Sequence, residues 1–597
     1  MQILDQVAQA SVCILLKIEA CATSSSSGRK TMRRVSAIAL TVVAFLFLSF
    51  HGFSQSAYDL LINGGRVLDG TGNPWFLADI AVKDGKIAAI GNLSGASARR
   101  TINAQGRYVV PGFIDMHSHS DSGLASTRTN TNPNVITQGA TTVVVNQDGR
   151  SPMWPISRQK STYEKQGIGT NAILMVGHGT VRGMVMKDDF RRPATQSEIE
   201  EMKRLVKQGM EEGAYGLSAG LEYVPGRWST TRELIELARV IAPYGGFYIA
   251  HERSEGRDPM WKNASDPTPS VDLLQAVKET IEISEKASVT AVASHLKAKG
   301  ALFWGSSYAA TRLIAEARAR GIQVYADQYP YPTSGSDGQT VLVPLWALAD
   351  EDVDVGGQLG QLQRGRSGAS SRIKENFAKK LNTPSLREKI RMDIEHEIDR
   401  RGGPYNIIIY EFPNKEYIEK SLGEIAGMRN EDPVDTVIWI QLNGFDRPGG
   451  ARMRGFSLSE LDIEHIMKQE FTATCSDGGT ATPDDGIPHP RYYGTFPRKI
   501  RRYVFERKII SLPFAIRSMT SLPAQIIGLK DRGLLRENYW ADIVIFDPEK
   551  IADRATYVNP HQYADGIPYV LVNGEVAVDG GKITGKLAGK VLTPPKK

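Results

Sequence analysis

The sequence predicts an α/β protein, a (β/α)8 TIM-type barrel with a small β-sandwich domain formed from both chain ends. Three observations carry this. Eight short apolar runs between residues 113 and 477 alternate with helical periodicity, the pattern of a parallel barrel. Metal-type side chains fall at the ends of those runs. The strand-and-tight-turn texture that follows residue 57 also returns at the far end of the chain.

Residues 1–56 read as a signal peptide with an upstream extension. Arg29, Lys30, Arg33 and Arg34 precede an apolar run from Val35 to Phe50, and small residues follow at Gly52, Ser54, Ser56 and Ala57. A membrane span wants about 20 apolar residues, so a retained anchor is the weaker reading. The residues before Met32 are expected to be an over-extended start of the reading frame. The mature chain is then periplasmic or secreted, with no stable membrane span. Cys13 and Cys21 leave with the leader, and Cys475 alone cannot form an intrachain disulfide. A net charge of +6 over 597 residues, with both signs interspersed, gives no reason to expect a nucleic-acid partner.

Residues 57–110 are expected to form the first part of the β domain. Tyr58 to Ile62 leads into Asn63-Gly64-Gly65, and Asp79 to Val82 into Lys83-Asp84-Gly85-Lys86, both hairpin signals. Residues 536–597 supply the rest, through Ala541 to Phe546, Val570 to Val572 before Asn573-Gly574, and Asp579-Gly580-Gly581. Two separate β appendages would each bury little apolar surface.

Residues 111–535 are the barrel. Its strands are expected at Phe113–His119, Thr141–Asp148, Ala172–His178, Gly216–Tyr223, Phe247–His251, Val289–His295, Ile322–Asp327 and Phe471–Asp477. Thr195-Gln-Ser-Glu198 is a capping box opening a helix that buries Ile199, Met202, Leu205 and Val206 and stops at Gly213. Thr230 opens a second helix, ended at Gly245. A third runs through Leu273, Val277 and Ile281, and a fourth through Leu313, Ile314 and Ala317 to Gly321. An insertion at about 332–470 separates strands seven and eight. It mixes a glycine-rich basic segment, Gly356 to Arg372, with helices and a strand over Asn406 to Tyr410. Its length at the active-site face suggests a lid.

His117 and His119 end the first strand; alternate strand residues share a face, so both imidazoles can grip one metal ion. Alone, that pair fits core or surface histidines about as well. But Asp148, His251, His295 and Asp477 end strands two, five, six and eight, and barrel active sites are built at those ends. Some of these histidines can instead be satisfied core residues, His178 in Val176-Gly-His-Gly-Thr180 most of all.

The motifs His117-Ser-His119, His251, His295 and Ser476-Asp477-Gly478, in that order, resemble the amidohydrolase superfamily. Gly216 to Tyr223, Ser294-His-Leu-Lys297, Asp327-Gln-Tyr-Pro-Tyr331 and His489 to Arg498 narrow the resemblance to the D-aminoacylases, over about residues 58–590. That resemblance implies zinc-dependent hydrolysis of N-acyl-D-amino acids, with one or two zinc ions and a small-molecule N-acyl amino acid as partner. It implies His117, His119, Asp148, His251, His295 and Asp477 as metal ligands. Asp477 would be general base and acid for a zinc-activated water. Tyr223, Lys297, Tyr329 and Arg491 would bind substrate, whose carboxylate suits an arginine. One departure stands out: where the family commonly carries a ligating cysteine, this chain reads Asn146-Gln-Asp148-Gly149. Aspartate also ligates zinc, or Asp148 only orients a ligand. Two other functions use the same features: hydrolysis of cyclic amides (dihydroorotase- or hydantoinase-like) or dipeptides, and a non-catalytic extracytoplasmic binding protein. The substrate-binding set discriminates the first. The retained Asp477 and four histidines argue against the second.

Overall fold

The computed structural model describes residues 57–335, 340–349 and 372–595. The leader reading at 1–56 and nearly all of Gly356 to Arg372 lie outside the described residues. Ala57 and Ala96–Arg99 are the described residues of a second unit, and within it the Ala57 N–H donates to Ser97 Oγ at 3.3 Å.

In the main unit, eight parallel strands follow one another in chain order. They are Phe113–Asp115, Ala140–Val145, Asn171–Leu174 continued as Val176–Gly177, Gly216–Gly220, Phe247–His251, Thr290–Ala293, Val324–Gln328 and Thr472–Thr474. Their ladders form two groups that meet at the interrupted third strand. The eighth strand returns to the first. The Met116 N–H donates to the Thr474 carbonyl at 3.4 Å, and the Asp477 N–H to the His117 carbonyl at 2.9 Å. Ser118 also bridges Gly478 in parallel. Strands covered on both faces need continuous apolar runs, and Val143, Val144 and Val145 are all buried.

Every strand but the fifth is shorter at its C-terminal end than its apolar run suggests, or shifted. The backbone explains three of these ends. Asp148, His295 and Asp477 take φ of 56°, 38° and 48°, left-handed values no strand accommodates. His117 and His119 also lie past their strand, which ends at Asp115. Loop geometry, and not strand alternation, brings their rings together.

The helices keep to their signals. Gln196–Glu211 starts at Thr195, where both halves of the capping box form, and Gly213 takes a φ of 106° just beyond its end. Thr230 caps Thr231–Ile241 by accepting the Glu233 N–H. Leu273–Ala287 and Ser307–Ala319 follow.

The β domain is one hydrogen-bonded sheet. It runs from Lys582–Ile583 through Glu575–Asp579, Tyr569–Val572, Ile543–Phe546, Tyr108–Pro111 and Tyr58–Val67 to Phe76–Lys83 and Lys86–Gly91. The two ends of the chain join where Ile545 pairs with Val109. Ile62, Ile80 and Val109 share a core with Ile543 and Leu571.

The described part of the insertion has its own core, around Phe377, Ile394, Ile409 and Ile440. It contains the helix Pro384–Arg400 and an antiparallel pair, Ile407–Glu411 with Arg452–Gly455. It sits against the loops after strands five and six: the Ser265 N–H donates to Asp393 Oδ1 at 2.7 Å, and the Gly300 N–H to the Ser457 carbonyl at 2.9 Å.

Candidate metal centre

Six side chains from five strand ends meet at the C-terminal rim of the barrel. His117 Nε2 lies 3.3 Å from His119 Nε2, and His251 Nδ1 lies 3.1 Å from His295 Nε2. Asp148 Oδ1 sits between the pairs, 3.4 Å from His117 Nε2, 3.8 Å from His251 Nδ1 and 3.9 Å from His295 Nε2. Its Oδ2 is 3.5 Å from His119 Nε2. Asp477 Oδ1 closes the group at 3.2 Å from His119 Nε2 and 3.8 Å from His117 Nε2. Gly149, at φ 73°, lets the Asp148 loop run close to the backbone of Gly179 and Gly220, where any Cβ would come within 3.0 Å of both amide nitrogens.

Outer partners fix which ring nitrogen faces inward. Ser294 Oγ donates to Asp327, with both carboxylate oxygens at 3.1 Å, and so accepts from His117 Nδ1 at 2.7 Å; the Nε2 lone pair then points into the group. His251 Nε2 donates to Glu222 Oε2 at 3.0 Å, which turns the Nδ1 lone pair inward. Lys297 Nζ lies 2.8 Å from His295 Nδ1 and also donates to Glu255. Lys299 Nζ donates to the second Glu255 oxygen at 3.1 Å.

The electrostatics of this cluster suit a cation. Asp148 Oδ1 is buried and accepts no hydrogen bond among the described residues. Burial would raise the Asp148 carboxyl, but the surrounding imidazoles hold it far below the usual carboxylate range. Burial drives the His117 ring well below its usual value. At His119 burial also lowers, yet the hydrogen bond to Asp477 and the charge of Asp148 outweigh it and raise the ring to about 9. Buried carboxylates facing imidazole lone pairs need a positive charge between them, and a divalent metal supplies it. Three overlapping triads could each hold one: His117, Asp148 and His295; His117, His119 and Asp477; His251, Glu255 and His295.

The residues expected to bind substrate lie beside this group. The Tyr223 ring packs on His251 at 4.4 Å between centroids. Arg491 Nη1 is 2.9 Å from Asp477 Oδ2, and its guanidinium lies 4.6 Å over the Tyr329 ring. The Tyr329 hydroxyl is buried without a hydrogen-bond partner among the described residues. Lys297, expected to meet a substrate carboxylate, is already engaged by Glu255, so a substrate would have to share it. His178 is a core histidine. Its Nε2 meets Glu233 at 2.9 Å, beside Arg182 and away from the metal group.

Glu222, Glu255, Ser294 and Asp327 were given no role from sequence. Glu255 follows His251 by four residues, a spacing that could have drawn attention to it. His489 opens the motif that runs to Arg498; its Nδ1 accepts the Arg491 backbone N–H at 3.0 Å and so seats that arginine. Asp115 also went unnoticed. It accepts the Ser476 N–H at 2.7 Å and so ties the loop carrying Asp477 to the first strand.

A barrel with this group at its rim is the architecture of a metal-dependent hydrolase, and the chain belongs to the amidohydrolase family, which matches residues 100–338 and 420–578. Within it, the chain is 33% identical to the D-aminoacylase of Alcaligenes xylosoxydans xylosoxydans, over 90% of this chain and 97% of that protein. It is 32% identical to the N-acyl-D-glutamate deacylase of the same organism, over 87% and 93%. Among solved structures, a D-aminoacylase superimposes with a TM-score of 0.67 at 32% identity, covering 90% of this chain and all of that one. The N-acyl-D-glutamate deacylase of Bordetella bronchiseptica, crystallised with zinc and a phosphonate mimic of the tetrahedral intermediate, gives 0.67 at 30%, over 90% and 99%. A dihydropyrimidinase from Brevibacillus agri, at 16% identity and a TM-score of 0.52, shares the fold.

Proposed function

We propose that this protein hydrolyses the amide bond of N-acyl-D-amino acids, releasing a carboxylate and a free D-amino acid, with zinc held by His117, His119, Asp148, His251, His295 and Asp477. One observation carries the reading: Asp477 reaches the imidazole group with Oδ1 and the Arg491 guanidinium with Oδ2. Bound zinc would polarise the amide carbonyl and lower the pKa of a water to about 7.

The remaining work falls to the chain's own groups. Asp477 is buried, which alone would raise it, but Arg491 and the neighbouring histidines hold it well below the usual carboxylate range. It is therefore ionised at working pH and is the carboxylate that would take a proton from the attacking water and pass it to the leaving nitrogen. Arg491, held over Tyr329 and seated by His489, would share its guanidinium between Asp477 and the substrate carboxylate. The Tyr329 hydroxyl supplies a further donor. Tyr223 packs on His251 and shields that side from water. The names of the relatives support an N-acyl-D-amino acid as substrate. Arg29, Lys30, Arg33 and Arg34 before the apolar run from Val35 to Phe50 support export and, with it, a periplasmic or secreted site of action. Among the described residues no helix is long and apolar enough to cross a membrane.

The test is a hydrolysis assay of the zinc-loaded protein on paired N-acetyl-D- and N-acetyl-L-amino acids, with hydantoins and dihydroorotate alongside. Turnover of the D-series is expected. Turnover confined to L-substrates or to the cyclic amides would reject the proposal.

A further inference from the structure

A cleft lies where the insertion helix Pro384–Arg400 faces the loops after strands five and six. Its walls include Arg257, Lys299 and Phe303 from the barrel with His396, Asp399 and Arg400 from the insertion. Two nitrogens of these residues, Arg400 Nη2 and His396 Nε2, are buried with no hydrogen-bond partner among the described residues. Arg400 uses Nη1 on Glu397 at 3.3 Å, while the carboxylate nearest its Nη2, Glu222 Oε1, stands at 3.9 Å, outside hydrogen-bond range. Lys299 has three ammonium donors and spends one on Glu255. Asp258 and Asp399 are the acids on the wall itself, Asp258 facing Arg257 at 3.6 Å, and Glu397 stands behind it on Arg400. The Arg400 Nη2 group is an unmet buried donor, His396 Nε2 is one when it carries the ring proton, and unmet buried donors are what an added acceptor satisfies.

We propose that this cleft binds a small oxyanion, a phosphate or a carboxylate, through Arg400, His396 and Lys299. The site is separate from the metal centre yet shares partners with it. Lys299 holds Glu255, which lies 3.4 Å from His295 Nδ1. Arg400 faces Glu222, which holds His251 Nε2. A bound oxyanion therefore competes with both glutamates for their cations, and its occupancy is felt at the two histidines. Nothing in this depends on which amide is cleaved.

Calorimetric titration of the zinc-loaded full chain with sodium phosphate, and separately with sodium succinate, tests the proposal. The same titrations are run on Arg400→Gln and His396→Phe after confirming that each variant keeps the wild-type melting temperature. One saturable site is expected for at least one anion, and the arm that binds identifies the source. In at least one folded variant Kd should weaken about tenfold or more, the loss of a charge-assisted hydrogen bond. Two results would overturn the site: no saturable binding of either anion, or binding unchanged in both variants, which places the anion on the metal.

Discussion

Asp477 and Glu222 occupy different shells around the same imidazoles, and their substitutions should separate cleanly. Asp477→Asn removes the proton acceptor while keeping shape. We expect kcat to fall by about 10²- to 10⁴-fold, with zinc content by atomic absorption largely retained. An active variant would take the base role away from this residue. Glu222→Gln keeps a hydrogen-bond acceptor for His251 Nε2 but removes the charge. Outer partners of this kind typically cost about 10- to 100-fold in metal affinity when altered, so chelator competition should show zinc leaving the variant sooner. These two residues also mark what the sequence could disclose. His117, His119, His251, His295 and Asp477 were legible because metal chemistry restricts residue type and the barrel rim restricts position. Glu222 and Glu255 were not, because a glutamate beside a strand end is ordinarily surface charge. Only the fold turns them inward.

At the scale of single elements, apolar runs located the strands but overran most of their ends. A run such as Thr141 to Asp148 reads as one strand until Asn146 and Asp148 take φ of 65° and 56°. Side-chain type does not announce that turn, and such backbone costs on the order of 1–3 kcal/mol per residue, borne where function holds the loop in place. Helix starts were easier, because capping is local. The helix Thr231–Ile241 shows where local reasoning stops. Its Thr230 cap forms, while the Glu233 carboxylate, which could have closed a capping box, instead pairs in the core with His178 and Arg182. Thr230→Ala should then cost about 1 kcal/mol, the usual value of a cap. Glu233→Ala strands a buried arginine and should cost about 3–5 kcal/mol. Urea unfolding of both variants checks the order; equal losses would mean that Glu233 contributes only at the helix end.

Across the whole molecule, distant segments are fastened by a few buried groups, and one of them makes stability depend on pH. Lys499 is 2% exposed and has no carboxylate partner among the described residues: its ammonium donates to Thr474 Oγ1 on the eighth strand at 2.7 Å and to Ser518 Oγ on Leu512–Met519 at 2.8 Å. Burial brings it down from 10.5 to about 7. The unfolded chain thus binds this proton more tightly than the folded one. Between pH 7 and 10.5 the unfolded state carries the extra proton, so this group makes stability rise with pH across that window. Below pH 7 the full cost of charging a buried amine is present, and above 10.5 it is gone. Lys499→Met removes the amine and keeps the apolar stem. The stability of the variant relative to wild type should therefore be greatest near neutrality and shrink by about 3 kcal/mol by a pH of about 9.5, taking roughly 1.36 kcal/mol per pKa unit. Urea midpoints at the two pH values measure this change directly. A gap that stays constant would show that Lys499 remains charged in the folded barrel, held by its two hydroxyl partners against the apolar surroundings.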